Sequence, residues 1–157
     1  MIITTLLVGK TTDNFIKEGI DIYIERIKHH LTLNQFIIPD LKDRKNLSRD
    51  QIREKEASAM TPYISKSQTI ILLDEKGTEF RSKDFAIFIQ KQMNSGVKEV
   101  VFIVGGAYGI DESIRKQANH IISLSKMTFT HQFIRLMFFE QLYRAFSIIN
   151  HEPYHNE

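Results

Sequence analysis

Between His131 and Ile149 the chain carries Phe133, Ile134, Leu136, Met137, Phe138, Phe139, Leu142, Tyr143, Phe146, Ile148 and Ile149. At about 100° per residue these side chains cover most of a helix's circumference. His131 and Arg135 fall on one remaining stripe; Glu140, Arg144 and Ser147 fall on another. Glu140 and Arg144 stand at the i, i+4 spacing of a helical ion pair. A helix apolar around most of its girth must be covered on several sides. In a chain of 157 residues the cover comes either from the rest of the monomer or in part from a second copy, and a homodimer is the expectation.

Upstream, strand-like and helix-like stretches alternate. Ile2 to Val8 is apolar and bounded by Gly9. Asp13 is a candidate cap for a helix with Phe15, Ile16, Ile20, Tyr23, Ile24 and Ile27 at helical spacing. Leu33 to Ile38 reads as a second strand, stopped by Pro39, and Pro39 to Ser48 as a mobile loop. Ser48 opens a charged helix to about Met60, whose alternating charges read as a solvated face rather than a nucleic-acid site. Thr69 to Leu73 is a short strand ending at Asp74-Glu75-Lys76-Gly77, and Ser82 opens a helix that stops near Gly96. Val100 to Val104, almost purely apolar, fits a strand covered on both faces. A short helix near Asp111 to Asn119 and a strand at His120 to Leu124 complete the series. The alternation predicts a single α/β domain over 1–157 with a mainly parallel sheet and helices on both faces.

Composition narrows the chemistry. The absence of cysteine excludes disulfides, thiolate zinc sites and cysteine nucleophiles, and fits a reducing compartment. A formal net charge of +2 permits an RNA partner without demanding one. The first residues lack the basic stretch and cleavage site of a signal peptide, and no apolar run nears the roughly 20 residues of a membrane helix. A cytoplasmic protein without membrane contact is expected. His29 and His30 are adjacent, and no two histidines stand at i, i+4 on one helix, so no metal site is expected.

In an open parallel sheet, ligands sit beyond the carboxyl ends of the strands. Three segments leave such ends: Leu73 to Gly77, Gly105-Gly106-Ala107-Tyr108-Gly109, and Leu124 to Phe129. The glycines either let backbone approach a ligand or serve a tight strand-to-helix turn. They do not match G-x-G-x-x-G, and Gly9-Lys10 lacks the upstream glycine of a P-loop. In the tail, Pro153 stops the helix, Tyr154 offers a stacking platform, and His155 can titrate or hydrogen-bond phosphate. The alternative is a frayed and idle end.

At these residues the chain resembles the ribosomal large-subunit pseudouridine N3-methyltransferases of RlmH type, within the SPOUT superfamily. The resemblance runs from Leu7-Val8-Gly9-Lys10 through Phe102-Ile103-Val104-Gly105-Gly106-Ala107-Tyr108-Gly109 to Pro153-Tyr154-His155. It is strongest from Ser123 through Ser125-Lys126-Met127-Thr128-Phe129-Thr130-His131 to Glu140-Gln141-Leu142-Tyr143-Arg144-Ala145-Phe146. It implies a C-terminal deep trefoil knot, an exception to the usual absence of knots, and a homodimer that methylates 23S ribosomal RNA on assembled ribosomes. It also implies an S-adenosylmethionine site at Leu73, Gly105, Leu124, Ser125, Lys126, Met127, Thr128 and Phe129. Leu124 and Thr130 depart from the aromatic and proline residues expected in relatives, changes that backbone contacts would survive. His131, Arg135, Arg144, Tyr154 and His155 are the candidates for holding the nucleotide, with either one of them or a water taking its proton. Two rival readings are a methyltransferase of ribose oxygen or tRNA and a non-catalytic RNA-binding dimer.

Overall fold

Val100 to Val104 is buried at every position, and its side chains divide between two cores. Val100, Phe102 and Val104 enter one, Val101 and Ile103 the other, the period-two pattern of a strand covered on both faces. The computed structural model to which these cores belong describes residues 1–155. Asn156 and Glu157, the end of the expected 1–157 domain, lie outside the described residues. Its strands are β1 (Ile2–Val8), β2 (Thr32–Ile38), β3 (Thr69–Glu79), β4 (Glu99–Val104) and β5 (His120–Ser123). They form one sheet in the order β2-β1-β4-β3-β5 with every pairing parallel.

Helices cover both faces of the sheet, so the fold is α/β as the alternation predicts. On one face lie α1 (Asn14–Lys28), α3 (Ser82–Asn94) and α5 (Phe133–Ile149); on the other lie α2 (Arg49–Met60) and α4 (Glu112–Arg115). Ile16, Ile20 and Ile27 of α1 join Phe138, Phe139, Leu142 and Phe146 of α5 in the first core. Gly19 marks the crossing of these two helices: a Cβ there would stand 2.8 Å from Leu136 Cδ1. Every residue of α5 is buried or half-buried.

Among the boundaries that differ from expectation, two differ for a tertiary reason and one through a local hydrogen bond. β3 continues past Leu73 to Glu79, because its register shifts between Leu73 and Thr78 and Ile122 of β5 pairs on both sides of the shift. The helix expected over Asp111 to Asn119 closes at Arg115. Asn119 joins the sheet edge instead, donating its N–H to Ile70 O (2.8 Å) and accepting the Ile70 N–H on Oδ1 (2.7 Å). The long helix begins at Phe133 rather than His131, since Thr130 Oγ1 accepts the Phe133 N–H at 3.2 Å. Ser48 caps α2 reciprocally with Gln51, at 3.2 and 2.8 Å. Asp13 holds its expected place before α1, yet its carboxylate makes no cap; its N–H donates to Gln132 Oε1.

Candidate functional site

The stretch of β3 where its register shifts, together with the loops leaving β4 and β5, lines an open cavity of about 730 Å³, inside the roughly 300–1,000 Å³ range of small-molecule sites. Leu73, Gly105, Leu124 and Ser125 line it, as do Met127, Thr128 and Phe129. The last loop is shaped by its own hydroxyls. Ser123 Oγ donates to Ser125 O (2.9 Å) and Ser125 Oγ accepts the Met127 N–H (2.9 Å). Lys126, expected in the same set, turns away from the cavity. Its side chain is 87% exposed and its Nζ lies 3.6 Å from Glu79.

The glycine segment forms a tight turn, and its backbone also lines the cavity. Gly109 donates its N–H to Gly106 O (3.1 Å) and adopts φ +83°, a left-handed value that glycine takes without strain. At Gly105 a Cβ would meet Ile110 Cδ1 at 2.8 Å. At Gly106 a Cβ would stand 3.0 Å from Glu56 Oε2, so protein packing alone already favours glycine at both 105 and 106.

The cavity's polar side chains were only partly foreseen. Arg115 of α4 pairs with Asp74 of β3, and both line the cavity. Arg49 and Arg53 of α2 line it as well. Their i, i+4 spacing on one face was the available signal, and the alternating charge around them masked it. His131 lies in the wall next to Ile134. Burial first, then the charge of Arg135, lowers its pKa, so its imidazole is neutral at pH 7.

Arg135 is a correction. It shares a helical stripe with His131, but it is fully buried and does not reach the cavity. Its Nη1 donates to Gly9 O (2.8 Å) and Thr11 Oγ1 (3.0 Å), and its Nη2 to Val8 O. The carbonyls at the end of β1 need donors, and α5 delivers one. Arg135 thus ties the start of α5 to the end of β1.

Arg144, Tyr154 and His155 do come together, but away from this cavity. Arg144 Nε donates to Glu140 Oε1 at 3.0 Å, its Nη1 lies 3.4 Å from His155 Nδ1, and its guanidinium sits 4.8 Å from the Tyr154 ring centroid. Tyr154 Oη donates to Glu140 Oε1 (3.1 Å) and lies 3.3 Å from Tyr23 Oη. The Glu140 contact holds Arg144 firmly charged, and burial keeps the Tyr154 phenol protonated. Beside this cluster runs a groove of about 530 Å³ between α1 and α5, floored by Gly19, Ile22, Leu136 and Met137. The tail therefore folds against its own helix rather than over its own chain's cavity.

Among the described residues no group of three or more histidines, aspartates or glutamates gathers as a metal site would require, and no helix is long and apolar enough to cross a membrane. A family model described as "Predicted SPOUT methyltransferase" matches residues 1–155. The chain is 46% identical over 156 residues to a "Ribosomal RNA large subunit methyltransferase H" of Christiangramia forsetii, covering 99% of each. It is 45% and 46% identical over 157 residues to proteins of that name from Parabacteroides distasonis and Flavobacterium johnsoniae, covering 100% of each chain.

Proposed function

The chain belongs to the SPOUT methyltransferase family, and we propose that it methylates N3 of a pseudouridine in 23S ribosomal RNA, with S-adenosylmethionine as donor and the assembled ribosome as substrate. The observation that carries this reading is one cavity built from the register-shifted stretch of β3 and the carboxyl-end loops of β4 and β5, in a chain matched end to end by large-subunit rRNA methyltransferases. Action on ribosomes would make it a cytoplasmic enzyme.

The cavity suits the donor in size and in its mix of leucine side chains and loop backbone. Leu73 and Leu124 would cover the adenine, while the backbone of Gly105, Ser125 and residues 127–129 would supply directed polar contacts. When bound, S-adenosylmethionine supplies an electrophilic methyl group whose carbon–sulfur bond breaks with its electron pair left on sulfur. The chain has then to align the acceptor nitrogen and remove its proton. Neutral His131 in the cavity wall can accept the N3 proton as the nitrogen–carbon bond forms. Charged Arg144 would stabilise the developing imide anion or hold a phosphate, and Tyr154 would stack on the base.

For those tail residues to act, a second copy must bring them to the cavity. The exposed apolar groove between α1 and α5 lies beside the Arg144–Tyr154 cluster and supports a homodimer through that face. The trefoil knot rests on family membership. The chain's course supports it: β5 is at one edge of the sheet, yet Arg135 ties α5 to the end of β1 on the other side of β3 and β4.

The test is transfer of labelled methyl to bacterial ribosomes lacking the modification, followed by nucleoside analysis. Label in N3-methylpseudouridine of the large-subunit RNA is the expected result. Label in a ribose-methylated or tRNA nucleoside would replace the target, and no label from folded protein would overturn the enzymatic reading.

A further inference from the structure

Tyr108, at the tip of the Gly106–Gly109 turn, stands at the cavity mouth with 39% of its surface exposed. Two guanidiniums flank its ring: Arg44 lies 5.6 Å from the centroid and Arg49 5.5 Å. Like charges so close to one ring repel, and the fold compensates only one of them. Arg44 Nη1 lies 3.4 Å from Asp40 Oδ1, and its Nη2 lies 4.0 Å from Glu56 Oε1. Glu56 is itself buried, 3% exposed, beneath Gly106. Arg53 is likewise occupied by Asp50, and Arg115 by Asp74. Arg49 has no carboxylate partner among the described residues, and it is exposed where α2 meets the cavity.

We propose that Arg49, held against Tyr108, binds a backbone phosphate of the RNA entering the cavity, with Arg44 as the positioning residue that fixes the stack. The proposal rests on the methyltransferase reading for the identity of the anion. An arginine fits the task because its planar group can stack on the ring and still present N–H donors to a phosphate. The chain's formal net charge is only +2, so affinity for RNA must come from locally uncompensated cations rather than from an overall field. The exposed rim favours a macromolecular anion; the carboxylate of a small ligand held within the cavity is the competing source.

The experiment measures the Kd of unmethylated ribosomes for wild type, Arg49→Ala, Arg49→Lys and Tyr108→Leu as a function of KCl at fixed Mg²⁺, with S-adenosylhomocysteine present. Affinity for S-adenosylhomocysteine alone is measured in parallel. Arg49→Ala should weaken ribosome binding about tenfold at low salt, the scale of one charged hydrogen bond. It should also reduce the slope of log Kd against log salt by about one. Arg49→Lys should keep the wild-type slope while losing part of the affinity. Tyr108→Leu should weaken binding with the slope unchanged. An unaltered slope in Arg49→Ala would overturn the assignment. So would a loss confined to S-adenosylhomocysteine affinity, which would hand Arg49 to the small ligand. A wild type that binds ribosomes with an Arg49-dependent slope yet transfers no methyl would sink the enzymatic reading and leave this contact standing.

Discussion

Glu56 is a carboxylate buried beneath the glycine turn, and burial raises its pKa against the opposing pull of Arg44. A folded-state pKa above the unfolded one means that the native protein binds the extra proton. The stability Glu56 contributes is thus fully present below the ordinary glutamate range and is lost as pH rises through the raised value. Glu56→Gln, which needs no ionisation, should gain stability relative to wild type as pH goes from 4 to 7, read from urea midpoints at each pH. A difference constant across that range would remove Glu56 from the pH response. Arg135 makes the opposite kind of demand. Removing it strands the carbonyls of Val8 and Gly9, so Arg135→Leu should cost about 3 kcal/mol, the penalty for orphaned buried acceptors. Denaturant unfolding would check it, and a stability equal to wild type would mean that the desolvation relieved matches the bonds lost.

At the scale of elements, what was legible in the sequence is what periodicity alone determines. The apolar run of β4, the isoleucine stripe of α1 and the girth of α5 each carry their own signal, and each element forms, α5 from Phe133. What was not legible depends on a neighbour distant in sequence. The extension of β3 to Glu79 exists because β5 lies alongside, and α4 stops early because Asn119 finds Ile70. The same holds within the site. The three segments at the strand ends could be read as ligand segments from the order of elements, whereas sharing a stripe with His131 says nothing of where the Arg135 guanidinium goes. Only the fold reveals that the stripe runs under the end of β1. The tail is the element whose role most needs a test. Tyr154 is half-buried against Glu140, Tyr23 and Tyr143, and it is not itself among the buried residues of the first core. Ending the chain after Glu152 should therefore leave the thermal midpoint nearly unchanged while abolishing methyl transfer to ribosomes. Undiminished transfer by the shortened chain would relegate the tail to an idle end.

At the scale of the whole molecule, two surfaces that the proposed site would combine lie apart in one chain: the cavity beside the strand ends and the Glu140–Arg144–Tyr154 cluster beside the α1–α5 groove. Ile22, 52% exposed in that groove, and Met137 across from it offer the apolar floor on which a second copy would seat. A charge there would have to be desolvated unpaired on association. Met137→Glu combined with Ile22→Glu should accordingly sediment as a monomer and lose transfer, although its cavity stays whole and still takes up S-adenosylhomocysteine. Mixing two inactive chains asks the sharper question. The tail-truncated chain keeps its cavity, and Thr128→Trp, which fills the cavity, keeps its tail. Exchange at equal concentration makes half of the dimers mixed, and a mixed dimer carries one complete site if the tail serves the opposite cavity. Activity should then return to roughly a quarter of the wild-type level, as statistical pairing of a symmetric dimer requires. If each tail serves its own chain, neither partner can complete a site and the mixture stays dead. The α1–α5 face would then hold the dimer without building the site.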